Sequence, residues 1–245
     1  MREGGMLPNS EAPRHAAIVR VTHWLTALCF FALLVSGLEL VVSHPRFYWG
    51  ETGNVNTRPL FKIPIPASRA SVPTGYSYGL PDQNGWSRYL HFEAAWALVI
   101  SGLVYFIWGV WSGHFRHNLF PASADRSWQA LLREMGNHIR MRPPSADEAY
   151  SYNVLQRAAY LVVIFVVFPL IIWTGLVLSP GFNSAVPAAV NLLGGRQSAR
   201  TLHFFLTGFL VAFLAVHVGM VIWAGFASRV RAMITGVAAA PEERG

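Results

Sequence analysis

Four long apolar runs punctuate the chain, from about Ile18 to Val42, Trp86 to Trp111, Val154 to Leu178 and Thr201 to Phe226. A helix needs about 20 apolar residues to cross the hydrocarbon of a bilayer, and each run meets that length. Their few polar interruptions are mainly histidines. The expected fold class is therefore all-α: an integral membrane four-helix bundle, with residues 1–245 forming one transmembrane domain. Residues 43–85, rich in Pro, Gly and aromatics and without helical period, form a long outer loop after the first helix. Residues 112–153 form a polar connection with one amphipathic stretch, Asp125 to Met141. There Trp128, Leu131, Leu132, Met135 and Ile139 recur at helical spacing, which predicts an interfacial helix lying on the membrane. The third connection, 179–198, is short, and no internal repeat or low-complexity tract is evident.

Composition strengthens this picture. Charged residues make up 13% of the chain and hydrophobic ones 53%, whereas a soluble domain carries about a quarter charged residues. The formal charge of +7 is not gathered into a patch of the kind that binds nucleic acid; the basic residues lie between the apolar runs, where they fix topology. Twelve Arg and Lys fall on the side of the termini and the 112–157 connection, and seven on the other. The positive-inside rule then places both termini in the cytoplasm and the 43–85 loop in the periplasm of a bacterial inner membrane. The single cysteine, Cys29, excludes an internal disulfide, a CxxCH haem attachment and a cysteine-held iron–sulfur cluster. No cleavable signal peptide is expected, because the first apolar run is too long for one.

The chemistry resides in the histidines. An ionisable group at membrane depth is costly and marks a functional site by default. His203 and His217 are fourteen residues apart, nearly four turns, so they share a face of the fourth helix about 21 Å apart along its axis. His23 lies near the start of the first helix and His91 near the start of the second, hence on opposite membrane faces. Matching by depth pairs His23 with His217 on the cytoplasmic side and His91 with His203 on the outer side. Each pair offers two axial nitrogens to one haem iron and leaves no open position, an electron-transfer site rather than an oxygen-activating one. Two haem b groups with bis-histidine ligation are thus expected. Arg20, Arg88 and Arg200 each precede a histidine by three residues, placed either to pair with haem propionates or to snorkel to the interface. Gly37, Gly102, Gly109, Gly208 and Gly219 lie in the helices, suited either to a macrocycle or to close helix packing. His15, His44, His114, His117 and His138 lie at polar ends or in loops and read as non-ligands.

RVTHW on the first helix, RYLHF on the second, and RTLHF with VHVG on the fourth resemble the bacterial di-haem cytochrome b561 family. That family includes the membrane subunits of formate dehydrogenase, nickel–iron hydrogenase and thiosulfate reductase. The one-plus-one-plus-two distribution of histidines, with the third helix bare, is shared. The resemblance implies a quinone pocket beside the cytoplasmic haem, with Asn153 and Gln156 of YNVLQR as candidates. Where the family tends to a small glycine this chain has Leu155, and Asn153 is equally suited to cap the third helix. The long 43–85 connection, with GLVLSP and GGRQSARTLHF, most resembles the thiosulfate-reductase type, which implies a molybdopterin oxidoreductase as periplasmic partner. The function so implied is electron transfer between the quinone pool and that partner, as a subunit with no catalytic residues of its own. The alternative is a stand-alone cytochrome b that oxidises superoxide at its outer face and reduces quinone, against which the long outer loop argues.

Overall fold

A computed structural model of the chain describes residues 15–54, 56–64, 83–120, 136 and 154–237. The first span, α1, is Ala17–Ser43, and the second, α2, is Gln83–Trp111. The third, α3, runs through Val154–Val162, a π-helical turn at Val163–Val167, and Phe168–Leu178. Two short helices follow, α4 at Pro180–Ala185 and α5 at Pro187–Leu192. The fourth span, α6, is Arg196–Trp223, and a final helix, α7, is Phe226–Thr235. The four spans are all long and apolar enough to cross a membrane.

The burial pattern is that of a protein solvated by lipid. Of the seven largest side chains buried to within 2%, five are Ser or Thr: Ser36, Ser87, Thr174, Ser198 and Thr201. Meanwhile Leu28, Phe31, Val35 and Trp111 on the spans are exposed. Without water in the hydrocarbon, association of the spans rests on small residues and on hydroxyls that find partners. Thr22, Ser36 and Thr174 donate to carbonyls three and four residues back on their own helices. Ser101 of α2 also reaches the Thr22 carbonyl of α1. Since Ser36 meets α2 near His91 and Thr22 meets it near Ser101, α1 and α2 run antiparallel as one hairpin. The α3–α6 hairpin is built likewise, with Thr174 against His203 and Tyr160 against His217. Phe30 of α1 joins the two hairpins, packing on the cluster of Val163, Val167 and Leu210.

Three features depart from plain spans. The π turn in α3 lies just before Pro169, whose missing N–H and ring are incompatible with a regular turn; widening that turn absorbs the conflict. The fourth span begins at Arg196 and ends at Trp223 because glycines set both ends. Gly194 and Gly195 take φ of 76° and 111°, and Gly225 takes 97°, conformations that L side chains rarely adopt. After Gly225 the chain turns into α7, which lies against the start of α1. Arg20 donates to the Ile234 carbonyl at 2.6 Å and the Trp24 indole to the Met233 carbonyl at 3.1 Å. An apolar cleft of 380 Å³ separates the two helices, lined by Ala17, Arg20, Val21, Trp24, Met233 and Ile234. The interfacial helix expected over Asp125 to Met141 lies outside the described residues, Gly136 apart.

The opposite end of the bundle is closed by the chain after α1. Strands β1 (Arg46–Phe47) and β2 (Phe61–Lys62) pair antiparallel, a short ribbon inside a segment whose sequence shows no helical period. Phe47, 1% exposed, stacks on Phe61 at 4.6 Å and packs at a tilt against Phe204 of α6 at 4.5 Å. The first turn of α6 takes its caps from this segment. Its orphan N–H groups at Gln197 and Ser198 donate to the Gly50 carbonyl, and that at Arg196 to the Glu51 carboxylate. Thr201 donates to the Tyr48 carbonyl at 2.7 Å, and Ser198 accepts from the Gly50 N–H at 2.7 Å.

Candidate functional site

The bundle brings the four sequence-selected histidines together in two pairs, one toward each end. At the end carrying α7, the rings of His23 (α1) and His217 (α6) face each other with centroids 6.4 Å apart. At the end closed by the β ribbon, His91 (α2) and His203 (α6) stand 6.2 Å apart. An imidazole nitrogen binds a transition metal at about 2.0–2.1 Å, and it lies roughly 1.1 Å from its ring centroid. Two rings on opposite sides of one metal therefore have centroids about 6.2–6.4 Å apart. Both pairs fall in that window. No cluster of three or more His, Cys, Asp or Glu side chains suited to a metal occurs among the described residues, so what the bundle offers is two-ligand sites.

At the ribbon end the unused nitrogens are held. His91 Nδ1 lies 3.0 Å from Ser36 Oγ of α1, and His203 Nδ1 lies 2.9 Å from Thr174 Oγ1 of α3. Each hydroxyl has one proton, already directed at a carbonyl of its own helix: Ala32 for Ser36 at 2.7 Å, Leu170 for Thr174 at 3.0 Å. The hydroxyls therefore accept, and the imidazoles donate from Nδ1. Nε2 is left with its lone pair, the form a metal requires. The glycine after each hydroxyl completes the cradle: a Cβ on Gly37 or on Gly175 would stand 3.4 Å from Cε1 of His91 or His203. The two hairpins thus repeat one construction, Ser36-Gly37 beneath His91 and Thr174-Gly175 beneath His203. The sequence carries it as SGLEL with SRYLHF and TGLVL with ARTLHF. Ser36, Thr174 and Gly175 were not singled out by sequence, and this local likeness is a repeat that reading the whole chain missed.

The pair at the α7 end is built differently. His217 stacks on Phe213 with centroids 5.9 Å apart and meets the edge of Tyr160, while His23 packs edge-on to Trp24. Nδ1 of His23 is buried with no hydrogen-bond partner among the described residues, and so is Nε of Arg20 one turn away. The orphaned guanidinium donor, one turn from His23, fits an acidic substituent of a group held between the two rings.

The three sequence-selected arginines have different surroundings. Arg20 spends one donor on Ile234, and its Nε has no partner among the described residues. Arg200 donates to the carbonyls of Arg46 and His44 and lies over the Phe47 ring at 4.9 Å, so it pins the ribbon to α6. Arg88 is exposed near the start of α2. Of the candidates drawn from YNVLQR, Gln156 lies in the first turn of α3 and Asn153 lies outside the described residues. Of the sequence-selected glycines, Gly37 meets His91 and Gly109 is covered by the Phe115 ring; Gly102, Gly208 and Gly219 meet nothing within 4 Å. His114, outside the spans, packs against Trp108 at 5.0 Å and accepts from the Asn118 amide at 3.0 Å. Burial lowers its pKa.

Four apolar spans enclosing facing imidazoles at two depths define a membrane cytochrome b. Comparison with known proteins agrees: the chain belongs to the prokaryotic cytochrome b561 family, whose sequence model matches residues 14–236. It is thus a cytochrome b561-type electron-transfer protein of a bacterial membrane, in a family whose cofactor is haem b. It is 32% identical over 210 residues to the putative protein-methionine-sulfoxide reductase subunit YedZ1 of Azospira oryzae, covering 84% of this chain and 89% of that one. It is 25% identical over 216 residues to the probable Ni/Fe-hydrogenase B-type cytochrome subunit of Cupriavidus necator, covering 83% and 76%. No solved structure matches.

Proposed function

We propose that the chain carries two haem b groups, one held by His23 and His217 and one by His91 and His203. In this reading it passes electrons between the quinone pool and a periplasmic redox subunit. The carrying observation is the pair of imidazole separations, 6.4 and 6.2 Å, at two depths of one bundle. When bound, each haem supplies a one-electron ferric–ferrous couple. The chain would supply the rest: two imidazoles at each end, those of His91 and His203 held as Nδ1 donors with Nε2 free, in an apolar surround. Arg20, whose Nε has no partner among the described residues, serves a propionate at the α7 end, with Arg88 and Arg200 as the corresponding candidates at the ribbon end.

The quinone reacts at the α7 end, near the first turn of α3, with Asn153 and Gln156 as binding candidates. This end faces the cytoplasm by the distribution of positive charge, which also supports cytoplasmic termini. The partner docks at the opposite end, where the β ribbon, α4 and α5 provide a built outer surface. Both relatives are named as parts of redox assemblies, a reductase and a hydrogenase, which supports a partner subunit over a stand-alone superoxide oxidase. The resemblance in GLVLSP and GGRQSARTLHF favours a molybdopterin-type partner.

The test is reduction by a quinol in detergent, followed at the b-haem absorption. His203→Ala, which keeps the α7-end pair, is expected to remain reducible by the quinol. His23→Ala, which keeps the ribbon-end pair, is expected to lose rapid reduction. The reverse pattern refutes the assignment of sides. Co-purification of a molybdopterin subunit with the tagged chain supports the partner; superoxide-driven quinone reduction by the chain alone refutes it.

A further inference from the structure

The two histidine pairs share a ligand class but not a setting. Both ribbon-end imidazoles donate from Nδ1 to a hydroxyl, Ser36 at 3.0 Å and Thr174 at 2.9 Å. Those hydroxyls are 0% and 1% exposed and are fixed by their own bonds to helix carbonyls. At the α7 end, His23 Nδ1 has no such acceptor among the described residues. A donated Nδ1–H leaves more negative charge on the imidazole and makes it a more basic ligand. A more basic ligand favours ferric over ferrous iron and so lowers the reduction potential. Burial in a low dielectric strengthens the effect, because no water competes for the bond.

We propose that Ser36 and Thr174 are positioning residues that hold His91 and His203 as Nδ1 donors and thereby lower the midpoint potential of the ribbon-end haem alone. This rests on the two-haem reading above. When bound, each iron would gain one electron from the quinol or partner and lose it to the other, while the Nδ1 proton stays on the ring in both oxidation states. The two hydroxyls lie on different helices, one from each hairpin, so each tunes one axial ligand and their effects add. The glycine that follows each, Gly37 or Gly175, lies directly against the histidine ring, where an added Cβ would touch Cε1 at 3.4 Å. Two couples of unequal potential let one chain exchange electrons with two partners of different poise.

The experiment is redox potentiometry of the b-haem absorption in full-length purified protein. Wild type shows two one-electron waves; His203→Ala keeps only the α7-end wave and so assigns the other. In Ser36→Ala and in Thr174→Val the assigned ribbon-end wave shifts upward, further in the double variant, and the α7-end wave stays. Ser36→Thr and Thr174→Ser, which retain a hydroxyl, return it toward the wild-type value. Loss of only the ribbon-end haem in Ser36→Ala or Thr174→Val, with retention in the exchange variants, equally supports the positioning role. An unmoved ribbon-end wave, or an equal shift of both, overturns the proposal while leaving the two-haem reading intact. A single wave in wild type instead refutes that reading, and is seen before any variant is made.

Discussion

Gly195 is where the ribbon end of the bundle is most exposed to a single methyl group. Its φ of 111° and ψ of 169° lie in a region open essentially to glycine alone, which costs another residue about 1–3 kcal/mol. An added Cβ would also stand 2.5 Å from the carbonyl carbon and oxygen of Gly50 and from the Glu51 nitrogen. Neither neighbour is a side-chain tip that swings aside; both are backbone. Relief requires moving the 50–51 segment, which caps Arg196, Gln197 and Ser198. Loss of two to three such bonds, at about 1 kcal/mol each, brings Gly195→Ala to about 3–6 kcal/mol. Gly194 is an internal control: its φ of 76° is also positive, but its Cβ would meet Ser198 Oγ no closer than 3.5 Å. Gly194→Ala should cost only the conformational strain, about 1–2 kcal/mol. Thermal unfolding in detergent, read by circular dichroism, with hydrogen exchange over residues 44–51, measures both. Equal melting temperatures for the two variants would refute the reasoning.

Other predictions concern other parts of the bundle. Phe47→Ala empties a site between Phe61 and Phe204 and should cost about 3–5 kcal/mol, with a matching fall in the unfolding midpoint. Trp24→Phe removes the indole bond to the Met233 carbonyl and loosens α7, so trypsin should cut after Arg229 or Arg231 several-fold faster while haem content stays at wild type. His114 is neutral in the fold, its pKa lowered from 6.5 by burial. The unfolded chain therefore binds the extra proton first, and stability is full above about pH 7 and falls as the pH drops through about 6.5. His114→Gln should flatten that part of the stability–pH profile; an unchanged slope would assign the effect elsewhere.

Much of this architecture is legible in the sequence because lipid imposes a simple rule on it. An unbroken apolar run of span length has few alternatives to a transmembrane helix, and histidines inside such runs stand out by cost. Depth matching then needs only the helical rise and the alternation of directions, and it names the same partners that face each other in the fold. What it could not name are groups whose role exists only across helices. Ser36 lies 55 residues from His91, and Thr174 lies 29 from His203; in sequence each is an ordinary small residue of a helix interface. Arg200 shows the converse: its spacing from His203 suggests a propionate partner, but that spacing does not reveal that the chain after α1 folds back to offer it the carbonyls of Arg46 and His44. The π turn before Pro169 was marked by its proline, yet apolarity on both sides of it masked the change of geometry.

In the proposed reading, one chain holds two haems through ligand sets sharing no residue. Haem b per chain, counted by the haemochrome assay on purified protein, tests it most directly. The prediction is two in wild type, one in each of His23→Ala, His217→Ala, His91→Ala and His203→Ala, and none when one histidine from each pair is removed. One haem in wild type, or complete loss on removing a single histidine from an otherwise folded chain, would contradict it.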